Sequence, residues 1–381
     1  MKVYKTLKIN NLSKIFIFCF ILFLLFGFSK QNYESAKNTI NIFLFSVMPS
    51  LFPFMLFTEI ILKTDIIDTI SEIFGKFIYK VFKLNKNCTA SFIIGFLCGY
   101  PMGAKAVINS LENNKITHNE ALILLNFINN CNPIFIISTI SLTLFNNVKI
   151  GIILLLSHIL AALLLGIISS KKYNNNIILK NSEFLNSFDK KSYINEKTTI
   201  FEILKNGLLN VFITLEIILG FMLLFNMLGN IFVNIGETLN LPTTLLQILT
   251  GFFEVTGGCF NINNLNIDIQ LKLMLISFML GFSGLCIIFQ IYSVIYKHKF
   301  SLKRLLIFKL LHGIFSVFIT YILLSIININ DVSIKTFSNI STSSFSSINN
   351  LSSILLTYVF GIIIVSAILL LFLKLNKVTK K

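Results

Sequence analysis

The chain runs again and again for about the 20 apolar residues that a helix needs to cross a hydrocarbon core of roughly 30 Å. Such windows, with no charge or nearly none, lie at residues 40–62, 121–145, 148–168, 208–232, 271–296, 305–327 and 351–373. Inside a bilayer each backbone N–H and C=O must be satisfied within the segment or by a neighbour, so these windows dictate helices. A shorter run at 15–28 follows four lysines and reads as a retained signal-anchor helix; the small residues Gly27 and Ser29 leave a cleaved signal peptide as the alternative. The expected class is an all-α polytopic membrane protein of about eight transmembrane helices.

A net charge of +16 would suggest nucleic acid in a soluble protein, but here the charge sits between the apolar windows. Lys2, Lys5, Lys8 and Lys14 precede the first run, 171–197 holds six lysines, Lys297, Lys299, Lys303 and Arg304 cluster, and Lys374, Lys377, Lys380 and Lys381 close the chain. Residues 328–350 are rich in Ser and Asn and hold one lysine. The positive-inside rule then puts the four basic clusters and both termini in the cytoplasm and the 328–350 loop outside, with no nucleic-acid partner. The six cysteines (Cys19, Cys88, Cys98, Cys131, Cys259, Cys286) show no CxxC or Cys/His spacing and read as small apolar fillers. Neither a metal nor a cofactor is expected. Enzyme signatures such as HExxH, GxSxG and the Walker loop are absent, so neither catalysis nor ATP-driven transport by this chain is expected.

The lysine-rich stretch divides the chain into two apolar halves that share landmarks in one order. An apolar helix carries Glu59, then comes GFLCGYPMG from Gly95, then an apolar window interrupted by NNCNP at 129–133. In the second half an apolar helix carries Glu216, then comes GFFEVTGG from Gly251, then a window interrupted by GFSG at 281–284. The corresponding landmarks are 157, 156 and 151 residues apart. With the basic clusters inside, the Gly95 segment has both ends inside and the Gly251 segment both ends outside. The halves are thus expected to be inverted copies, as in secondary transporters. The organisation is a basic segment and anchor helix (1–36), a first repeat (37–170), a cytoplasmic linker (171–198), a second repeat (199–300) and C-terminal helices (301–381).

Each Gly-rich segment is too short to cross twice and reads as a re-entrant helical hairpin, whose tip requires a protein-lined or watery cavity at the midplane. Gly99, Tyr100, Pro101 and Gly103 form the first tip; the free amides beyond it, with Lys105 in the next turn, make an anion site. Alternatively Lys105 snorkels to the interface. Asn126, Asn129, Asn130 and Pro133 fall at i, i+3, i+4 and i+7, one helix face, and Pro133 frees the Asn129 carbonyl; with Asn132 they offer ligands to a substrate or cation, or else glue helices together. In the second hairpin Glu254 is a candidate proton or cation site or a partner for Lys105, and Thr256, Gly257 and Gly258 form the tip. Ser283 lies in the second helix interruption. Of the two matched glutamates Glu59 is expected near a helix end and Glu216 deep, and His158 is expected to be packed rather than a relay.

The stretches SLFPFMLFTEII, GFLCGYPMGAKAV, EALILLNFINNCNPIFI and GFFEVTGG together resemble the sporulation integral membrane protein YlbJ family, which carries nucleoside-recognition (Gate) domains. The likeness runs from about Pro49 to Tyr296, which marks 37–170 and 199–300 as Gate-like repeats. The family is related to concentrative nucleoside transporters, and the resemblance implies a part in moving dipicolinic acid from the mother cell toward the forespore. Lys105 with the helix start at Gly103 would be the carboxylate-binding pair. The chain departs from nucleoside transporters in lacking a Gln-Thr-Glu triplet at Tyr100–Lys105.

The function expected is a secondary transporter of a small organic anion, dipicolinate first, by alternating access at a midplane site between the hairpin tips. A nucleoside transporter and a structural or assembly protein of the forespore envelope are the alternatives. Its partners would be the anion, a coupling ion (proton or sodium) and the lipid bilayer, with a homo-oligomer open. The resemblance implies the mother-cell-derived outer forespore membrane as its place in sporulating cells.

Overall fold

Among the described residues five helices are long and apolar enough to cross a bilayer, and what separates them is shorter helices carrying glycines, prolines and asparagines. The computed structural model describes residues 15, 26–64, 66–173 and 200–327. The expected helix 351–373, the 328–350 loop, most of the anchor segment 15–28 and nearly all of the 171–198 linker lie outside the described residues.

The first long helix among the described residues is α1 (Ser29–Ile61), widened into a π turn at Phe43–Val47, followed by the amphipathic α2 (Ile66–Phe82). Next come α3 (Cys88–Leu97) and α4 (Met102–Glu112), then α5 (His118–Leu125) and α6 (Phe135–Phe145), then the long α7 (Val148–Tyr173). Beyond the linker a similar succession follows, without a counterpart of α2: a long helix α8 (Ile200–Thr238), two short helices α9 (Thr243–Phe253) and α10 (Val255–Asn264), a helix in two halves α11 (Ile269–Phe282) and α12 (Gly284–Ile295), and a long helix α13 (Leu302–Ile326). No strand occurs among the described residues.

Local chemistry sets the ends. α5 starts in a capping box, with Thr117 accepting from the Glu120 amide and the Glu120 carboxylate accepting from the Thr117 amide at 2.8 Å; the same carboxylate accepts from the Asn85 amide. Thr117→Ala is expected to cost about 1 kcal/mol, checked by thermal unfolding in detergent. α11 stops where Ser283 (φ 72°) and Gly284 (φ 69°) turn left-handed in succession, a conformation glycine adopts freely and serine does not.

The residues of NFINNCNP do not share a helix face, contrary to the spacing argument: 126–132 is non-helical and Pro133 opens the next helix. The reason is that asparagine side chains compete for local backbone groups. Asn129 Nδ2 donates to the Leu125 carbonyl at 3.1 Å and closes α5, while Asn132 Oδ1 accepts from the Ile134 amide at 2.8 Å and opens α6. Window 121–145 is therefore two half-helices with a polar break.

In both pairs of short helices the arms cross glycine on glycine. A Cβ on Gly103 would lie 2.9 Å from the Gly95 Cα, and one on Gly258 would lie 2.1 Å from the Gly251 Cα. The breaks lean on the same crossings: a Cβ on Gly95 would meet the Ile128 carbonyl at 2.3 Å, and one on Gly284 would meet the Gly251 carbonyl at 3.2 Å. The two halves also exchange contacts. α4 packs on α12, and Asn263 of α10 donates to the Leu144 carbonyl of α6 at 3.4 Å. α13 packs against both α11 and α7, which sets a helix of the second half beside both breaks.

Candidate functional site

At the tip between α3 and α4, Gly99 takes φ 78°, and the Tyr100 amide donates to the Asn130 carbonyl at 3.0 Å, tying tip to break. A side chain on Gly99 would press on the Asn132 amide at 2.9 Å, so this glycine serves both the turn and the close approach. The Tyr100 hydroxyl donates to Cys131 Sγ at 3.4 Å.

The second tip is not at Thr256–Gly258, as the glycines suggest, but at Glu254, which is extended (φ −142°); Thr256 and Gly257 form the first turn of α10. The buried Glu254 carboxylate accepts from the Thr256 amide at 2.8 Å and the Gly257 amide at 2.7 Å, with Asn226 of α8 hydrogen-bonded beside it. The amides that a helix start offers to an anion are therefore held here by the chain's own carboxylate.

The two tips and two breaks meet at one cavity. Tyr100 from the first tip, Asn132 from the first break, Glu254 and Thr256 from the second tip, and Cys286 and Gln290 from just beyond the second break line a space of about 30 Å3. That volume suits one or two waters, so the arrangement described is a closed one. Asn130, which precedes the lining residues Cys131 and Asn132 in the chain, does not itself line the cavity; its amide is 1% exposed, and neither its oxygen nor its nitrogen has a protein partner.

Lys105 does not join this group. Its ammonium donates to Thr214 of α8 and stands 4.0 Å from the Glu59 carboxylate, whose other oxygen accepts from Asn210 Nδ2 at 2.9 Å. Pairing with Glu254 is thus absent; Lys105 instead links α1, α4 and α8. Glu59, near the end of α1 at Ile61 as expected, is buried in that cluster. Glu216, expected deep, lies on the exposed side of α8 with Phe212, Ile213 and Ile217.

Sequence reasoning missed Lys309 on α13. Buried to 5% exposure, its ammonium donates to the carbonyl of Asn129 and, at 3.0 Å, to the hydroxyl of Ser283. It also lies 5.8 Å from the Tyr100 ring centre. The Asn129 carbonyl is free because 126–132 is unwound, not because Pro133 interrupts a helix, and its partner comes from α13. His158, expected to be packed, has its ring centre 4.4 Å from that of His312 of α13 with the planes tilted by 37°, and its Nε2 accepts from the Cys131 amide at 3.0 Å. Two signals pointed this way: a lysine inside an apolar window, and a spacing of 154 residues between the two histidines that equals the spacing between Asn129 and Ser283.

A family model described as Gate, nucleoside recognition, matches residues 44–147, which span the first tip and first break. The sporulation integral membrane protein YlbJ of Bacillus subtilis (strain 168) is 25% identical over 332 residues, covering 81% of each chain. No solved structure matches. The likeness carried by the GYPMGAKA and NNCNP blocks is therefore shown on two counts: residues 44–147 of this integral membrane protein match the Gate nucleoside-recognition model, and over most of its length the chain is similar to the YlbJ sporulation membrane protein.

Proposed function

We propose that the protein is a secondary carrier of a small organic anion, dipicolinate during spore formation, in the mother-cell-derived outer forespore membrane. The observation that carries the proposal is the convergence of four interruptions, Tyr100, Asn132, Glu254 and the start of α12, on one cavity. Interrupted helices deep in a membrane protein are costly unless they surround a substrate or ion path, which is how carriers with broken helices use them. In this proposal α3–α4 and α9–α10 are re-entrant hairpins entering from opposite sides, and the recurring order of elements is an inverted repeat. α7 and α13 then correspond, and the second repeat extends to Ile326. Substrate moves when the hairpin arms slide apart on their glycine crossings and open the closed cavity to one side at a time. Similarity to a sporulation protein supports the physiological setting.

Asn130 is the proposed substrate ligand that the protein itself leaves free. Its amide contributes no internal hydrogen bond, so Asn130→Ala is expected to leave the unfolding midpoint within about 2 °C of the parent. Uptake of radiolabelled dipicolinate into proteoliposomes is expected to be saturable and to fall about tenfold or more in that variant, the loss of one or two hydrogen bonds to a charged ligand. Uptake no greater than in protein-free liposomes would refute the proposal. The match to a nucleoside-recognition model supports a second candidate cargo, and competition by uridine with none by dipicolinate would select it.

A further inference from the structure

Among the described residues Lys309 is the only lysine buried between helices, and neither ion pair found there involves it. A buried ammonium without a carboxylate is expensive and has to be held by oxygen acceptors. Those acceptors are informative. One is the carbonyl of Asn129, in the unwound first break; the other is the hydroxyl of Ser283, the residue that ends α11 at the second break. An unwound carbonyl and the C-terminal end of a half-helix are the groups that hold the coupling cation in carriers with broken helices. The two positions are 154 residues apart, within the range of the repeated landmarks, so the acceptors are equivalent points of the two halves. The residue at the same offset from Lys309 is Leu155 on α7, so one half supplies a tethered cation and the other supplies none.

We propose that the Lys309 ammonium fills the coupling-ion site between the two breaks, and that the proton it carries, rather than sodium, is the ion coupled to substrate movement. The inference rests on the carrier function proposed above. With the proton on, the ammonium ties the Asn129 carbonyl to Ser283 and holds the breaks together. Loss of that proton to water on the open side leaves a neutral amine, frees the carbonyl and lets the breaks separate; nothing is oxidised or reduced. The titratable groups facing Lys309 are Tyr100 from the first tip, Cys131 from the first break, His158 from α7 and His312 one turn along α13. α11 presents hydroxyls, Ser277 and Ser283, to α13.

The first test uses purified protein in proteoliposomes with radiolabelled dipicolinate. Net uptake should be driven by an imposed pH gradient and unchanged when sodium is replaced by choline. Arginine fills the site but holds its proton, so in Lys309→Arg the ratio of gradient-driven net uptake to substrate counterflow should fall about tenfold or more. Absence of wild-type counterflow would count against the carrier function; counterflow with sodium-dependent net uptake, or an unchanged ratio in Lys309→Arg, would overturn the coupling inference alone. The second test needs no substrate. Unfolding midpoints in equal sodium chloride and choline chloride should coincide for the wild type, while Lys309→Ala, with its cation removed, should gain about 2–4 °C from sodium. Sodium protection of the wild type, or none of a folded Lys309→Ala, would overturn the inference.

Discussion

Gly258→Ala is expected to destabilise the protein by about 3 kcal/mol or more, the upper end for overpacking a filled interior. The added methyl would sit 2.1 Å from the Gly251 Cα and 2.8 Å from its amide nitrogen. Both obstacles are backbone, so no side chain can swing away; α9 and α10 must part, and the Glu254 tip between them must move. Dipicolinate uptake should fall about tenfold or more, since displacement of about 1 Å at a binding site has an effect of that order. Gly220→Ala is the control. A methyl there meets nothing within 4 Å, and alanine favours the helix, so stability should hold or rise. Thermal unfolding in detergent and vesicle uptake read both variants.

Glu254→Ala is expected to be the second most damaging change, at about 2–5 kcal/mol. It removes the acceptor of two buried amides, those of Thr256 and Gly257, at the start of α10. Glu254→Gln keeps one acceptor oxygen and should cost less than half as much. The comparison separates capping from charge: if uptake is lost in the glutamine variant while its unfolding midpoint stays near the parent, the carboxylate's charge matters to the cargo and not only to the tip. Equal stability of the alanine variant and the parent would contradict the capping role.

The glycines made part of the architecture legible. Gly99 does stand at the first tip, but Gly103 and Gly258, read as tip residues, lie in α4 and α10, where they cross Gly95 and Gly251. What failed was inference about which way a side chain faces. Lys105 follows the first tip closely, yet its rotation on α4 turns it to Thr214 and Glu59, because α8 packs there and the second tip does not. The asparagines of the first break had a helical period but the local bonding chemistry of caps, and capping won at Asn129 and Asn132. The π turns at Phe43–Val47 and Phe135–Leu142 left no mark in the residue pattern. Lys309 could be seen as a charge in an apolar window, but its meaning depends on Asn129 and Ser283 meeting beside α13, a convergence that only three dimensions contain.

The central claim, that the cavity between the tips and breaks is where cargo binds, can be measured on the native chain because Cys131 lines that cavity and Cys88 does not. Membrane vesicles are treated with a small maleimide, and modification of each cysteine is followed by peptide mass spectrometry with and without saturating dipicolinate. Modification of Cys131 is predicted to proceed as the cavity opens and to slow about tenfold or more with dipicolinate bound, the protection expected of a ligand that fills its site, while Cys88 is unaffected. Modification of Cys131 at the same rate with and without dipicolinate, in protein that demonstrably takes it up, would contradict the account.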